Sequence, residues 1–287
     1  MPELPEVETV RLGLRPVLEG KVLTAVEVRR PDLRQPVPAD FVQRLTGKRV
    51  TRLGRRGKYL LAHCEHGPVL IIHLGMSGRL TITTGGERTR PGQFALNGSA
   101  PGSHDHIAFE TEGGARIVYS DHRRFGLMTL AEATELNDHP LLRDMGPEPL
   151  DAGFTANSLK ARLAGKAASI RAALLDQHVV AGLGNIYVAE ALFRAGIAPG
   201  RRAGSISLER LRRLVDAIKT VLAEALQAGG SSLRDYAKAD GELGYFQHAF
   251  KVYGRNGEPC LAPGCGQFVR RSVDGGRSSF YCPRCQR

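Results

Sequence analysis

The chain lacks any apolar run of the ~18 residues that a membrane-spanning helix needs. It opens on Pro and Glu rather than on a basic stretch followed by an apolar segment, so no secretory signal is visible and a cytoplasmic setting is expected. Cysteine is scarce over most of the length: of five, four fall between Cys260 and Arg287. Disulfides rarely persist in the cytoplasm, so cysteines clustered this way predict a metal site. Acidic residues are absent from Arg44 to Lys58, where seven Lys and Arg stand together. No internal repeat is present. Gly182-x-Gly184 lacks both a preceding strand and a third glycine, which excludes a dinucleotide fingerprint.

What is there points to a folded, basic, multidomain protein. With 287 residues and a 42% hydrophobic fraction, the chain can build two or three packed units. Net charge is +11, and Lys251 to Arg287 carries seven basic against two acidic residues, a local +5. A merely solvated surface interleaves both signs; one-signed patches at the two ends are the footprint of a polyanion, and nucleic acid is the expected partner.

The first half reads as strands. Val22 to Arg29 alternates, and Tyr59 to Leu61, Val69 to Leu74, Leu80 to Thr83, Ile107 to Glu110, Arg116 to Tyr119 and Leu127 to Leu130 are short apolar or alternating runs between turn residues. This spacing predicts a β-sandwich or barrel. A helix precedes them, with Glu6 and Glu8 at its start and Val7, Val10 and Leu14 at helical spacing. Thr84 to Ser103 reads as a long loop. After about Ala133 the pattern turns helical: Leu159 to Leu175, Ile186 to Phe193, and Ser207 to Leu226, capped by Ser207 and ended by Gly229–Gly230. The joint Gly182–Leu183–Gly184–Asn185 suggests a helix-turn-helix variant. Ser231 to Phe250 reads as a Gly-containing loop.

Cys260-x4-Cys265, sixteen further residues, then Cys282-x2-Cys285 is the spacing of a tetrahedral zinc site made from two knuckles. Four cysteines leave no open coordination position, so one structural Zn²⁺ is expected rather than a catalytic one.

The opening Met1–Pro2–Glu3–Leu4–Pro5–Glu6–Val7–Glu8–Thr9 closely resembles that of the formamidopyrimidine-DNA glycosylases. The resemblance continues in order through Lys58–Tyr59–Leu60–Leu61, His73–Leu74–Gly75–Met76–Ser77–Gly78, His104–Asp105–His106 and Arg123–Arg124–Phe125–Gly126. It resumes in Asp176–Gln177, in Ala181 to Tyr187, and in Val252–Tyr253–Gly254–Arg255 through Cys285. Leu4–Pro5–Glu6 is similar to this branch more than to the endonuclease VIII branch, which favours Gly before that proline.

The resemblance implies an α+β multidomain fold. Residues 1–133 would form an N-terminal β-sandwich with a leading helix, 134–249 a helical helix-two-turn-helix domain with a base-capping loop, and 250–287 a C-terminal zinc-binding β-hairpin. It also implies a bifunctional DNA glycosylase and abasic-site lyase acting on oxidised purines, 8-oxoguanine and formamidopyrimidines, in duplex DNA. Once Met1 is removed, Pro2 supplies a secondary amine as nucleophile. Such α-amines titrate at roughly 7.5–8, leaving a useful neutral fraction at neutral pH. The amine attacks deoxyribose C1′, the base departs, and the resulting iminium favours loss of the C2′ proton and β-elimination. By the same resemblance Glu3 is the general acid toward the sugar ring oxygen, Glu6 supports the site, Lys58 serves the elimination steps, and Arg277 serves the second, δ elimination.

The target nucleotide must leave the duplex, and side chains must fill the gap. Met76, Arg123 and Phe125 are the implied fillers. His73, His104, Arg124, Lys166 and Asn185 match DNA-contacting positions, although Asn185 also suits a helix cap. Three departures from the family pattern stand out. The first cysteine pair encloses four residues where two are typical, the Thr84 to Ser103 loop is longer, and Ala167–Ala168 replace common lysines. The expected partner is damaged double-stranded DNA, with no membrane and no obligate protein partner, the chain acting as a monomer in a bacterial cytoplasm. Two rival readings are an endonuclease VIII-like enzyme for oxidised pyrimidines and a non-catalytic zinc-ribbon DNA-binding protein.

Overall fold

The structure is a computed structural model that describes residues 2–90, 102, 104–231 and 246–287. Met1, and the parts of the Thr84–Ser103 and Ser231–Phe250 loops between these stretches, lie outside the described residues. The chain divides into two compact units, Met1–Arg143 with Leu226–Tyr245, and Asp144–Ala225 with Phe246–Arg287.

The first unit starts with helix α1 (Leu4–Leu18), N-capped by Glu3, with Glu6 in its first turn as the sequence suggests. Val7, Val10, Leu14 and Leu18 lie on one face and join the sandwich core. Next come β1 (Leu23–Val28), a short helix α2 (Phe41–Leu45), β2 (Val50–Arg56), β3 (Tyr59–Cys64), β4 (Pro68–His73), β5 (Arg79–Thr84), β6 (Glu87–Thr89), β7 (Asp105–Thr111), β8 (Arg116–Ser120) and β9 (Leu127–Glu132). They form a five-stranded sheet, β1-β7-β8-β5-β6, and a four-stranded sheet, β2-β3-β4-β9. Every pairing is antiparallel. Inward residues of both sheets, such as Leu60, Leu70 and Ile72 from one and Ile82, Phe109 and Ile117 from the other, share one core, so the expected sandwich is present.

Two strands escaped the sequence pattern. In β2 a register shift between Val50 and Arg52 places the buried Val50 and Leu53 three apart, which destroys the period of two. It is also an edge strand whose outward positions are Thr51 and Arg52, a composition that discourages further pairing. The short β6 lies inside the stretch read as loop, pairing Ile82 with Thr89 and Thr84 with Glu87.

The second unit carries α3 (Ala156–Leu163), α4 (Ile170–Leu175), α5 (Asn185–Arg194), most of α6 (Leu208–Gln227), and a hairpin of β10 (Arg270–Asp274) and β11 (Arg277–Tyr281). The run Leu159 to Leu175, helical in its spacing, is broken into two helices: Gly165 takes φ +72° and Ser169 caps a new start by accepting the Ala172 N–H at 3.1 Å. Ser207 caps α6 through the Arg210 N–H at 3.3 Å, as its sequence suggests. Among the described residues no helix is long and apolar enough to cross a membrane.

Candidate active site and zinc centre

Three carboxylates and a proline crowd the start of α1. Pro2 is buried, Glu3 is 2% exposed and Glu6 4%. Glu6 folds back to the cap: its Oε2 accepts the Glu3 backbone N–H at 2.9 Å. Its Oε1 accepts both the backbone N–H and the hydroxyl of Ser231, at 2.8 and 2.9 Å. A carboxylate held by three donors stays fixed, so Glu6 sets the backbone of Glu3 and thereby of its neighbour Pro2. Gly230, at φ +86°, lies so close that a Cβ there would meet Glu6 Oε1 at 3.1 Å. Glu8 has a different role. Burial opposes its ionisation, but hydrogen bonds and charge from Arg11 and Arg55 outweigh this and hold its carboxyl below the usual range. That pairing, with the Arg11 Nη1 donating to Leu53 O at 3.0 Å, fastens α1 to β2.

Lys58 enters from the β2–β3 hairpin at 6% exposure. His73, at the end of β4, packs its ring 4.9 Å from that of Tyr59. Its Nδ1 accepts the Gly75 N–H at 2.9 Å, which leaves the proton on Nε2 of the neutral ring. Burial, with the charges of Lys58 and Arg34, pushes its pKa down to about 4. His73 is therefore a neutral donor at physiological pH.

Two loops of the same unit meet beside it. Met76 is 40% exposed and Phe125 45%, unusual values for large apolar side chains next to a core. The Arg123 guanidinium lies 4.7 Å over the Phe125 ring. Arg124 takes a left-handed φ of +56° and pairs with Asp32 at 2.8 Å. His104 is exposed, its ring 6.2 Å from that of His122. The loops touch through glycines: at Gly75 (φ +65°) a Cβ would come within 2.4 Å of the Gly126 nitrogen, and at Gly126 within 1.8 Å of the Tyr119 hydroxyl.

Asp121, which sequence reasoning left unassigned, organises both loops. It is 1% exposed. Its Oδ1 accepts the Ser77 hydroxyl and, at 3.2 Å, the Arg123 N–H. Its Oδ2 accepts the Tyr119 hydroxyl at 3.0 Å and the Gly126 N–H at 2.9 Å. The only sequence hint is its place just before Arg123–Arg124–Phe125–Gly126.

In the second unit the four cysteine sulfurs lie within 4.8 Å of one another. Neighbouring sulfurs are 3.5 to 3.8 Å apart. A tetrahedral zinc at about 2.3 Å from each sulfur requires roughly 3.8 Å between them, so the cage fits that ion, and these gaps are far too long for disulfides. The wider Cys260–Cys265 loop is absorbed by a turn in which the Cys265 N–H donates to Ala262 O at 3.1 Å. Gln286 seats the cage on the helices, accepting the Cys282 N–H at 2.9 Å and donating to Ile197 O at 3.0 Å. Glu190, fully buried on α5, accepts the N–H groups of Lys251, Val252 and Tyr253 at 2.8 to 3.0 Å. Like Asp121, it has no sequence signature beyond a charge on an apolar face.

Comparison with known proteins matches this arrangement part by part. The formamidopyrimidine-DNA glycosylase N-terminal domain matches residues 1–128, the H2TH domain of the same enzymes residues 145–237, and the zinc finger found in FPG and IleRS residues 257–287. The chain belongs to the formamidopyrimidine-DNA glycosylase family. It is 56% identical over 287 residues to the formamidopyrimidine-DNA glycosylase of Cereibacter sphaeroides, with 100% of both chains covered. The Azorhizobium caulinodans protein of the same name is 54% identical, again over 100% of each chain. Among solved structures, the MutM (Fpg) protein of Thermus thermophilus superposes with a TM-score of 0.84 at 40% identity, covering 99% of this chain and 98% of that one. The Lactococcus lactis Fpg bound to DNA containing an abasic site gives 0.85 at 33% identity, covering 99% of each.

Family membership and the cage geometry together assign one structural zinc ion to Cys260, Cys265, Cys282 and Cys285. Lys166, Asn185 and Arg277 lie in the second unit. Lys166 follows Gly165 after α3, its Nζ 3.7 Å from Asp176. Asn185 is the first residue of α5 and not its cap, a place held by Gly184. Its side-chain amide accepts from Arg171 and donates to Ser278 O, both at 2.8 Å. Arg277 is exposed at the start of β11. Cys64 is a buried thiol, pushed up to about 11 by burial against the opposing charge of Lys48, and so stays protonated and inert.

Proposed function

We propose that the chain excises oxidised purines, 8-oxoguanine and formamidopyrimidines, from duplex DNA and then cleaves the strand by β,δ-elimination. Its class follows from the family: a DNA glycosylase with abasic-site lyase activity, working in base excision repair. The observation that carries the residue assignment is the buried start of α1, where Glu6 fastens the Glu3 backbone.

In this reading the Pro2 nitrogen, freed from Met1, donates its lone pair to C1′ as Glu3 protonates the ring oxygen. The glycosidic C1′–N bond breaks with its electrons leaving on the base, which takes up the amine proton; the C1′–O4′ bond then breaks onto the protonated ring oxygen, and the proline nitrogen and C1′ become an iminium. Loss of the C2′ proton then drives β-elimination, with Lys58 assisting at the phosphate and Arg277 assigned to the δ step. Met76, Arg123 and Phe125 fill the space of the flipped nucleotide. The exposure of Met76 and Phe125, large apolar side chains left in solvent, supports this role. His73, as a neutral Nε2–H donor, and His104, Arg124, Lys166 and Asn185 are assigned to the DNA backbone. The divisions at 133/134 and 249/250 are kept as functional boundaries: chemistry, duplex grip and zinc finger. The enzyme acts as a monomer in the cytoplasm, where reducing conditions keep the zinc thiolates available.

Competition between 8-oxoguanine and oxidised-pyrimidine duplexes tests the lesion class, with faster excision of the purine expected. Preference for the pyrimidine would shift the reading to an endonuclease VIII-like activity. Glu3→Gln should abolish base excision while leaving DNA binding intact, and unchanged turnover would remove Glu3 from its role.

A further inference from the structure

The hairpin that carries Arg277 is held at its base, where Phe280 packs on Tyr253 with ring centroids 5.3 Å apart and Ser279 is buried. All five residues of β10 are exposed, and the tip is Gly275–Gly276, both with positive φ. An isolated two-stranded hairpin is marginally stable. The tip must therefore be positioned by further ties to neighbouring elements, and several polar ones converge on one side chain.

Arg171, on the short helix α4, is 3% exposed. A buried guanidinium is costly unless its N–H groups are satisfied. Here its Nη1 donates to Asp274 O at 3.3 Å, and its Nη2 to Ser278 O at 3.4 Å and Asn185 Oδ1 at 2.8 Å. Asn185 Nδ2 donates to the same Ser278 carbonyl at 2.8 Å. Ser169, two residues before Arg171, donates its hydroxyl to Asp274 Oδ2 at 2.9 Å. Asp274 and Arg277 are paired across the hairpin, and Ser278 follows Arg277 directly. The fork thus grips the chain on both sides of Arg277. Burial lowers the Arg171 pKa; the attraction of Asp274 opposes this and the nearby charge of Arg277 adds to it.

We infer that Arg171 is a positioning residue for the δ-elimination step, a strap from α4 that fixes the hairpin tip and with it the reach of Arg277. The inference rests on the role proposed for Arg277. A planar fork can hold two carbonyls and an amide at once, whereas a lysine ammonium on a flexible stem holds fewer in a less defined geometry. A displacement of about 1 Å in a catalytic group can cost on the order of a hundredfold.

The test uses the full-length, zinc-loaded protein and its Arg171→Met, Arg171→Lys, Arg277→Ala and Arg171→Met/Arg277→Ala variants. Two quantities are measured: the ratio of δ- to β-elimination products on abasic duplex DNA, and amide hydrogen exchange over residues 270–281. Arg171→Met is expected to lower the product ratio by roughly tenfold to a hundredfold. Base excision should change by no more than about threefold, zinc content should hold, and hairpin exchange should speed up. Arg171→Lys should fall between the parent and Arg171→Met. The double variant should be no worse than Arg277→Ala, since both remove the same contribution. A parental ratio and parental exchange in Arg171→Met, beside a collapsed ratio in Arg277→Ala, overturns the strap. If Arg171→Met does not fold, parental values in Arg171→Lys do the same. An unchanged ratio in Arg277→Ala instead removes the role of Arg277, and is distinguished by that variant alone.

Discussion

Replacing Asp121 by Asn isolates the contribution of one buried carboxylate to the two exposed loops. Each oxygen of Asp121 receives one hydroxyl and one backbone N–H: Ser77 and Arg123 on Oδ1, Tyr119 and Gly126 on Oδ2. Asparagine keeps one oxygen and puts an NH₂ in place of the other. A hydroxyl facing that NH₂ can rotate and accept, but a backbone N–H cannot. With the NH₂ in place of Oδ2 the Gly126 N–H is left facing a donor; with it in place of Oδ1 the Arg123 N–H does, keeping only the Ser77 hydroxyl at 3.3 Å. An unmet buried donor costs about 1–3 kcal/mol. Part of that cost is relieved if the loop shifts, and the shift would displace Arg123 and Phe125. Since 1.4 kcal/mol is a factor of ten, duplex excision is expected to fall by roughly tenfold. Urea unfolding of the sandwich transition reads the first quantity and single-turnover excision of 8-oxoguanine the second. Ser77→Ala is the control: it removes one hydroxyl but leaves both N–H groups their acceptors, and should cost less. An Asp121→Asn protein within about 0.5 kcal/mol of the parent, with parental excision, would refute the reasoning.

Other perturbations probe the remaining parts. Ser231→Ala deletes one of three donors to Glu6 and should cost about 1 kcal/mol and a few-fold in excision; Gly230→Ala, strained at φ +86° and pressed against Glu6, should be worse, and equal rates in both would contradict the link. The His73 ring is neutral above about pH 6.5 whether folded or unfolded, but between 6.5 and about 4 only the unfolded chain takes the proton. Stability should therefore fall as pH drops through that window, by up to about 3 kcal/mol, and His73→Gln should flatten the fall in pH-dependent denaturation. Removing zinc with a chelator should loosen residues 257–287 and weaken DNA binding while circular dichroism of the sandwich persists; unchanged binding would deny the finger its grip. Binding should also weaken steeply with salt, and a flat profile would contradict phosphate contacts.

Much of this was legible in the sequence, for physical reasons that differ by region. Strands whose burial alternates, such as Arg116 to Tyr119, and the apolar stripe of α6 announce themselves because a half-buried surface imposes its period on the residues. The zinc cage is legible because metal geometry constrains spacing. The β2 strand was not, since its bulge between Val50 and Arg52 breaks the period. The break between α3 and α4 hid behind a single glycine in a run with continuous helical spacing. At the candidate site, Pro2, Glu3 and Lys58 came from motif resemblance, whereas Asp121, Glu190, Arg171 and Ser231 came only from the structure. Each of those four is a buried polar group whose partners are distant in sequence or are backbone N–H and C=O groups, which leave no mark on composition. Asn185 shows the limit of local reading, for a residue that looks like a cap is the first helical residue, bonded to a hairpin 93 positions away.

The account turns on the amine of Pro2. Borohydride reduction during turnover on an abasic duplex, with protein whose N-terminal mass shows that Met1 has been removed, should trap a covalent protein–DNA adduct. Peptide mapping should place it on Pro2. A trapped adduct on a lysine, or no adduct from a protein that still cleaves the strand, would contradict the central claim.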